Sequence, residues 1–319
     1  MKTPIGKTAR AHHMLAGILA TLLLALPATA ADWKSMTPPP VPTGYAAVET
    51  INGIIYVAGG WDYNGGGANA TLQAFNPETN SWTSLANMPL TLYEGDGAGV
   101  INGQLYVAGG WNGYLPTDTL LLYDPPSNTW TYLPSMPLLS GGGATGVINS
   151  QLYVTTPEDG YDGYYNFLDM YDPLSGIWTS LAQSASAHAN PAFGVINGLL
   201  YVAGGVNGNA VVTNVLEAYN PATNSWTTLA PMKTAVQSPA SIALNGKLYV
   251  FGGSDGTNNV ATVQVYDPYK NKWMILSSSA SPGALSGWSG VSVYGLAFVE
   301  GDTGLGTTNE YFAFLPSIP

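Results

Sequence analysis

A chain of 319 residues with 39 Gly, 23 Pro and 46% hydrophobic residues can build a large core but has too many turn formers for a helical protein, so an all-β fold is expected. It carries 19 acidic residues against eight basic ones and no cysteine. That balance excludes a disulfide framework and speaks against nucleic acid or an anionic membrane as partner, since both need clustered Lys and Arg.

The first 30 residues read as a secretory leader. Lys2, Lys7 and Arg10 precede an apolar run from Met14 to Leu26, closed by Pro27 and the small residues Ala28-Thr29-Ala30. The run is too short to cross a bilayer, which takes about 20 apolar residues. Cleavage after Ala30 leaves residues 31–319 as a single domain, expected in the periplasm or outside the cell, without membrane insertion and as a monomer. Its only cations are Lys34, Lys233, Lys247, Lys270 and Lys272.

The remaining chain is a repeat marked by Trp33, Trp82, Trp130, Trp178, Trp226 and Trp273, spaced at nearly constant intervals. The orphan strand Asp32–Met36 comes first. Then Ile51-Asn-Gly to Gly59-Gly60 reads as a β-hairpin, because Asn-Gly supplies the positive φ angles of a two-residue turn. The same hairpin recurs from Ile101 to Gly110, Ile196 to Gly205 and Leu244 to Gly253. Each hairpin is followed by an aromatic before Asn-Pro or Asp-Pro, at Phe75, Tyr123, Tyr171, Tyr219 and Tyr266, and seven residues later by Trp. Each unit therefore reads as four strands, a to d. Four antiparallel strands repeated at this interval predict a β-propeller.

The last unit offers strand a near Gly290–Val293, b at Gly295–Val299 and c at Asn309–Phe314, but no d. The orphan strand at Trp33 supplies it, which predicts six blades and a closed ring; an open seven-bladed or solenoid arrangement is the alternative. The Gly-Gly doublet followed by spaced Tyr and Trp resembles the kelch repeat, and the likeness covers Asp32 to Pro319. The resemblance implies that the doublet ends strand b and that the aromatics pack within and between blades. Thr155-Thr156 in the third unit and Glu300-Gly301 in the last depart from the doublet, and looser packing is expected at those two corners.

The a-to-b and c-to-d turns hardly vary, whereas the d-to-a and b-to-c loops do, so a binding site is expected on the face these variable loops share. The b-to-c loops carry Trp61, Asp62, Trp111, Tyr114, Asp159, Tyr161, Asp162 and Tyr164; the d-to-a loops carry Tyr93, Glu94, His188, Gln237 and Trp288. Aromatic faces beside carboxylates suit a glycan or a peptide. The plainer reading of Trp61 and Trp111 is that they cover the neighbouring Gly-Gly corners. Asp62-x-Asn64 and Asp159-x-x-Asp162 place oxygen ligands in glycine-rich loops, but neither completes a calcium loop, and turn chemistry accounts for both. No metal and no cofactor are predicted.

Without cysteine, and with His188 as the one histidine outside the leader, a Cys/His zinc site cannot form. The kelch resemblance includes a copper oxidase that needs a Cys crosslinked to Tyr, which this chain cannot be. It also includes a six-bladed periplasmic sialic-acid epimerase, whose Arg-held carboxylate has no counterpart here beyond Lys233. Glu94 with Asp96, or Glu158 with Asp159, are the acid pairs available for sugar chemistry. The leading expectation is a secreted binding module for a glycan or peptide, with no catalytic residue assigned. A carbohydrate-active epimerase or mutarotase and a structural surface protein are the alternatives.

Overall fold

The computed structural model describes residues 33–94, 97–158, 160, 163–276, 286–302 and 309–314, the last sheet in part by backbone course alone. The leader at 1–30, Asp96, Asp159, Tyr161 and Asp162 lie outside the described residues, as does the side chain of Trp288. Among the described residues no helix is long and apolar enough to cross a membrane.

Strand β1 (Trp33–Met36) and the two-residue β2 (Thr43–Gly44) come first. The first sheet begins with β3 (Ala47–Ile51) and β4 (Ile54–Ala58); after the short β5 (Trp61–Asp62) and β6 (Gly67–Ala68) it continues with β7 (Leu72–Asn76) and β8 (Ser81–Ser84). The second is β9 (Gly97–Ile101), β10 (Gln104–Ala108), β11 (Leu120–Asp124) and β12 (Thr129–Leu133). The third is β13 (Thr145–Ile148), β14 (Gln151–Glu158), β15 (Tyr164–Asp172) and β16 (Ile177–Ser180). The fourth is β17 (Ala192–Ile196), β18 (Leu199–Ala203), β19 (Leu216–Asn220) and β20 (Ser225–Leu229). The fifth is β21 (Ala240–Leu244), β22 (Lys247–Phe251), β23 (Val263–Asp267) and β24 (Lys272–Ile275). The last is β25 (Ser286–Val293), β26 (Leu296–Asp302) and β27 (Asn309–Phe314), and β1 is its fourth strand, with Trp33 opposite Phe314 and Met36 opposite Tyr311.

All pairings are antiparallel meanders, as a four-strand repeat requires. The turns follow the residues. Asn52-Gly53, Asn102-Gly103, Asn197-Gly198 and Asn245-Gly246 all hold φ between +51° and +82°, the geometry of a two-residue hairpin turn. Innermost strands touch in the order β3, β9, β13, β17, β21, β25, and β25 touches β3. The core lies between neighbouring sheets. Tyr56 of β4 packs with Leu105 and Tyr123 of the second sheet, while Ile55 and Val57 of the same strand pack with Val291 and Phe298 of the last. Strand b is thus buried on both faces, which explains its continuous apolar run, each residue contributing about 1.5–3 kcal/mol.

Strand d is held to the preceding sheet by side chains. The Trp82, Trp130, Trp178, Trp226 and Trp273 indoles donate to the carbonyls of Thr37, Ala86, Pro134, Ala182 and Ala230 at 2.7–2.8 Å. Asn80, Asn128, Asn224 and Asn271 accept from the N–H of Thr37, Ala86, Ala182 and Ala230, each at 2.9 Å. The tryptophans that mark the repeat therefore bond successive sheets together.

The units without a doublet are built differently at that corner. Gly59 and Gly60 have φ of +66° and +96°, which ends β4, and the other doublets do likewise. Where Thr155-Thr156 stands instead, β14 runs for eight residues with a shift of register between Thr156 and Glu158; both threonines are buried, the Thr155 hydroxyl accepting from the Ala144 N–H at 2.7 Å and the Thr156 hydroxyl having no hydrogen-bond partner among the described residues. β26 likewise runs through Glu300-Gly301 to Asp302. Losing the doublet lengthens the paired b-to-c hairpin. The two extended hairpins belong to sheets separated by two others in either direction.

Candidate functional site

The innermost strands enclose a cavity of about 370 Å³ whose mouth opens among the d-to-a loops. One residue from each sheet forms the rim. Tyr45 donates its N–H to Gly287, Glu94 to Tyr45, Gly142 to Glu94, Asn190 to Gly142, Ser238 to Asn190 and Gly287 to Ser238, at 2.6–3.1 Å, so six peptide groups close a head-to-tail hydrogen-bonded ring. All six hold left-handed φ, from +46° at Glu94 to +74° at Gly287. That conformation costs a non-glycine residue about 1 kcal/mol, yet four positions carry Tyr, Glu, Asn and Ser. Strained residues gathered at a cavity mouth make this the candidate site.

Each rim residue is held by the loop before it. Tyr93 and Trp111 exchange N–H to C=O bonds at 2.9 and 2.7 Å, Gln237 and Ser254 do so at 2.8 Å, and Gly44 pairs with Trp61. The residue after each doublet is thereby pinned beside the rim: Trp61 and Trp111 stand next to Tyr93, while Gln237 stands with Ser254 at the fifth sheet. The Trp61 ring meets the Tyr93 ring edge-on, 5.1 Å away at 74°. Trp111 leans onto the next sheet, where a Cβ on Gly141 would fall 2.2 Å from its indole Nε1. Both tryptophans are half-buried between sheets, so covering the corner and facing the mouth are compatible roles.

The acids pair differently from either sequence pairing. Glu94 lines the mouth, where it is half-buried, and its pKa is raised to about 7 by burial and then by the charge of Glu158 at the end of β14. Glu158 also raises the Tyr93 and Tyr164 hydroxyls, behind burial, so these four groups share one electrostatic environment. Deeper in, Glu49 is raised to about 7 by burial against one opposing hydrogen bond from the Thr50 N–H at 3.2 Å. It stands opposite Tyr56, where the second, third and fourth sheets carry Gly99, Gly146 and Gly194 opposite Tyr106, Tyr153 and Tyr201.

Other predicted residues fall elsewhere. His188 is not on the loop face: it is 4% exposed, with Nδ1 2.7 Å from the Gly204 carbonyl and Nε2 3.0 Å from Glu217. The carbonyl can only accept, so Nδ1 carries a proton and the ring is committed to structure. Glu217 also accepts from the Ala185 and Ser186 N–H groups, as Gln73 and Gln264 accept from the loops leading into their sheets. Tyr114 is fully in solvent at 88% exposure, away from the rim. Asp62 accepts from the Asn64 N–H at 2.8 Å, a local turn, and no cluster of three metal-ligating side chains occurs among the described residues. Lys233 is exposed, and its backbone bonds Gln264. Sequence reasoning missed Tyr45, Glu49, Asn190 and Ser238. The signal was present for three of them: Tyr45, Glu94, Gly142, Asn190 and Ser238 each stand twelve residues after a repeat tryptophan.

The kelch motif matches residues 42–89, 97–137, 187–233 and 238–279, more than half of the chain. The chain belongs to the kelch family. The kelch matches omit the third unit and the last, the two whose doublets are replaced. A solved structure described as "Structure of YjhT" is similar to this kelch protein, with a TM-score of 0.75 at 17% identity over 88% of this chain and 96% of that one. At that identity the likeness shows the propeller fold alone. No curated protein matches in sequence.

Proposed function

We propose that this kelch protein is an exported binding module that takes the end of a glycan at the mouth of its central cavity. The observation that carries the reading is the edge-to-face Trp61–Tyr93 pair beside Glu94, on a rim held rigid by the six-residue ring. Aromatic faces pack against sugar C–H groups and the carboxyl accepts hydroxyl protons, while the rim needs no reorganisation on binding. The cavity volume lies within the about 300–1,000 Å³ usual for small-ligand sites, which favours a chain end over an extended peptide. The pairing of β1 with β27 and the contact of β25 with β3 support a closed six-bladed ring. The basic-then-apolar stretch before Ala30 supports export.

A glycan array with residues 31–319, repeated with Trp61→Ala and Tyr93→Ala, tests this. Retained glycan binding in both variants, or none in the parent, overturns it. One observation favours a second reading, a carbohydrate-active enzyme: Glu94, raised towards neutrality beside Glu158, has the pairing of a general acid with a second carboxylate. Turnover of a bound sugar, abolished by Glu94→Gln, would establish it.

A further inference from the structure

Neighbouring sheets are tied across their outer strands by side-chain hydrogen bonds of three kinds. Two are the indole and Asn bonds to the residue that ends strand d. The third comes from strand c, where Gln73 accepts from the Val41 N–H at 2.9 Å, Glu217 from Ala185 and Ser186 at 3.0 Å, and Gln264 from Lys233 and Thr234 at 2.9 Å. The second sheet, with Leu121 at that position, still keeps the other two ties to the first. The third sheet keeps one tie to the second. Trp178 bonds the Pro134 carbonyl, but Pro134 has no N–H and Gly176 stands in the place of the Asn. Asp169, at the strand-c position, bonds within its own sheet, accepting from the Ser180 hydroxyl at 2.6 Å.

The same seam carries polar atoms that the packing leaves unsatisfied. Of the four buried side-chain N and O atoms without a hydrogen bond among the described residues, Trp111 Nε1, Thr117 Oγ1 and Thr156 Oγ1 lie here, and Thr262 Oγ1 lies elsewhere. The Trp111 indole rests on Gly141 in the loop that enters the third sheet, and Thr117 pairs with Ser140 of that loop. The Ser140 hydroxyl donates to the Thr155 carbonyl at 3.4 Å. Thr156 shares a face of β14 with Val154, which packs with Tyr106 and Ala108 of the second sheet. Each unsatisfied atom gains a partner when water reaches it, so these three favour an opened seam. The linking loop is pliable as well. It holds Gly141-Gly142-Gly143, where the loops into the fourth and fifth sheets have Asn190-Pro191 and Ser238-Pro239. Gly142 keeps its rim bonds to Glu94 and Asn190, so the inner edge of the third sheet stays in the ring.

We propose that the propeller opens at this seam: the third sheet swings outward about its innermost strand β13, hinged at Gly141-Gly142-Gly143, and uncovers Trp111, Thr117 and Thr156 beside the cavity mouth. The opened cleft presents an aromatic face, an N–H donor and two hydroxyls that the closed ring hides. Junctions with two or three ties stay closed.

Strand b supplies the test, because it places one buried valine on each of five junctions. Val57 faces the last sheet, Val107 the first, Val154 the second, Val202 the third and Val250 the fourth. The chain has no cysteine, so a single Val→Cys variant at each position reports one junction when labelled with iodoacetamide in native buffer. Val154→Cys is expected to react at least about tenfold faster than the other four, at a rate that rises less with urea than global unfolding does. Adding Pro134→Ala, Gly176→Asn and Asp169→Gln, which rebuild the two missing ties, is expected to slow Val154→Cys to the rate of the others. Should cysteine at 154 disturb the circular dichroism of the chain, Thr156→Cys reads the same seam. Equal labelling at all five junctions, or faster labelling at another junction, overturns the proposal. Fast labelling of Val154→Cys that the rebuilt ties leave unchanged overturns it too.

Discussion

Pro134 and Gly176 depart together from the rule that ties one sheet to the next. In four of the sheet junctions the residue ending strand d gives its N–H to an Asn side chain and its C=O to a Trp indole, as Ala86 does to Asn128 and Trp130. At the third sheet Pro134 has no N–H to give, and Gly176 stands where the Asn would be; only the Trp178 bond to the Pro134 carbonyl remains, at 2.8 Å. Gly176 keeps the left-handed φ of +70° that the asparagines hold at +45° to +53°. The turn is conserved in shape while donor and acceptor disappear as a pair.

Restoring both partners should therefore be cooperative. Pro134→Ala with Gly176→Asn is expected to stabilise the chain by about 1 kcal/mol beyond the sum of the single variants. A double-mutant cycle of urea midpoints checks this, and strict additivity would refute it.

Trp226 separates packing from hydrogen bonding. Trp226→Phe keeps the ring against Tyr219, whose centroid is 5.3 Å away, but loses the bond to the Ala182 carbonyl. A loss of about 1–2 kcal/mol is expected for Phe, and about 3 for Ala. Denaturant unfolding at constant m-value measures both.

At the His188–Glu217 pair, burial pushes the Glu217 carboxyl up, but the hydrogen bond from His188, the Ala185 N–H, the His188 charge and the Ser186 N–H outweigh it and hold the carboxyl below its usual 4.5. Its stabilising effect is present above pH 4.5 and is lost as pH falls through the lowered value. Glu217→Gln, which Gln73 and Gln264 show to be compatible with the clamp, is expected to cost about 1–2 kcal/mol at neutral pH; Glu217→Leu is expected to cost about 3. The deficit of the glutamine variant should shrink in acid, as thermal unfolding below pH 4.5 would reveal.

Glu49 and Glu94 act with the opposite sign. Each is raised from 4.5 to about 7, so the folded chain holds protons that the unfolded chain has released, and stability falls as pH rises from 4.5 through 7. The loss is about 1–2 kcal/mol for each, allowing for solvent in the cavity. Glu49→Gln with Glu94→Gln should flatten the dependence of the melting temperature over that window, and an unchanged slope would contradict the assignment.

Glu94→Gly tests the rim. Gly142 and Gly287 already fill equivalent positions, so the variant should relieve left-handed strain and gain about 0.5–1 kcal/mol while glycan binding is lost. A gain in melting temperature with binding retained would detach the rim from the function.

Most of the fold was legible because its signals are local. Asn52-Gly53 needs only its own φ preferences to make a turn, and Trp82, Trp130 and Trp178 announce strand d by spacing alone. The aromatic and acidic composition of the loop face was legible in the same way. The pairing of acids was not: Glu94 and Glu158 come from different sheets, and neither lies beside the other until the sheets pack. His188 failed for the same reason, because Glu217, which draws it inside, is 29 residues away on strand c.

The sequence by itself determined the repeat, the four-strand unit and its turns, and the strand at Trp33 left over for the last sheet, because these follow from short-range dihedral preferences and apolar spacing. Only the tertiary structure decided which side chains meet at the mouth. The ring through Tyr45, Glu94, Gly142, Asn190, Ser238 and Gly287 joins residues about 48 apart, and no local preference selects it. It forms when packed sheets bring those peptide groups within hydrogen-bonding distance. The same packing puts Glu49, Glu94 and His188 to different ends, two lining the cavity and one sealed against Glu217.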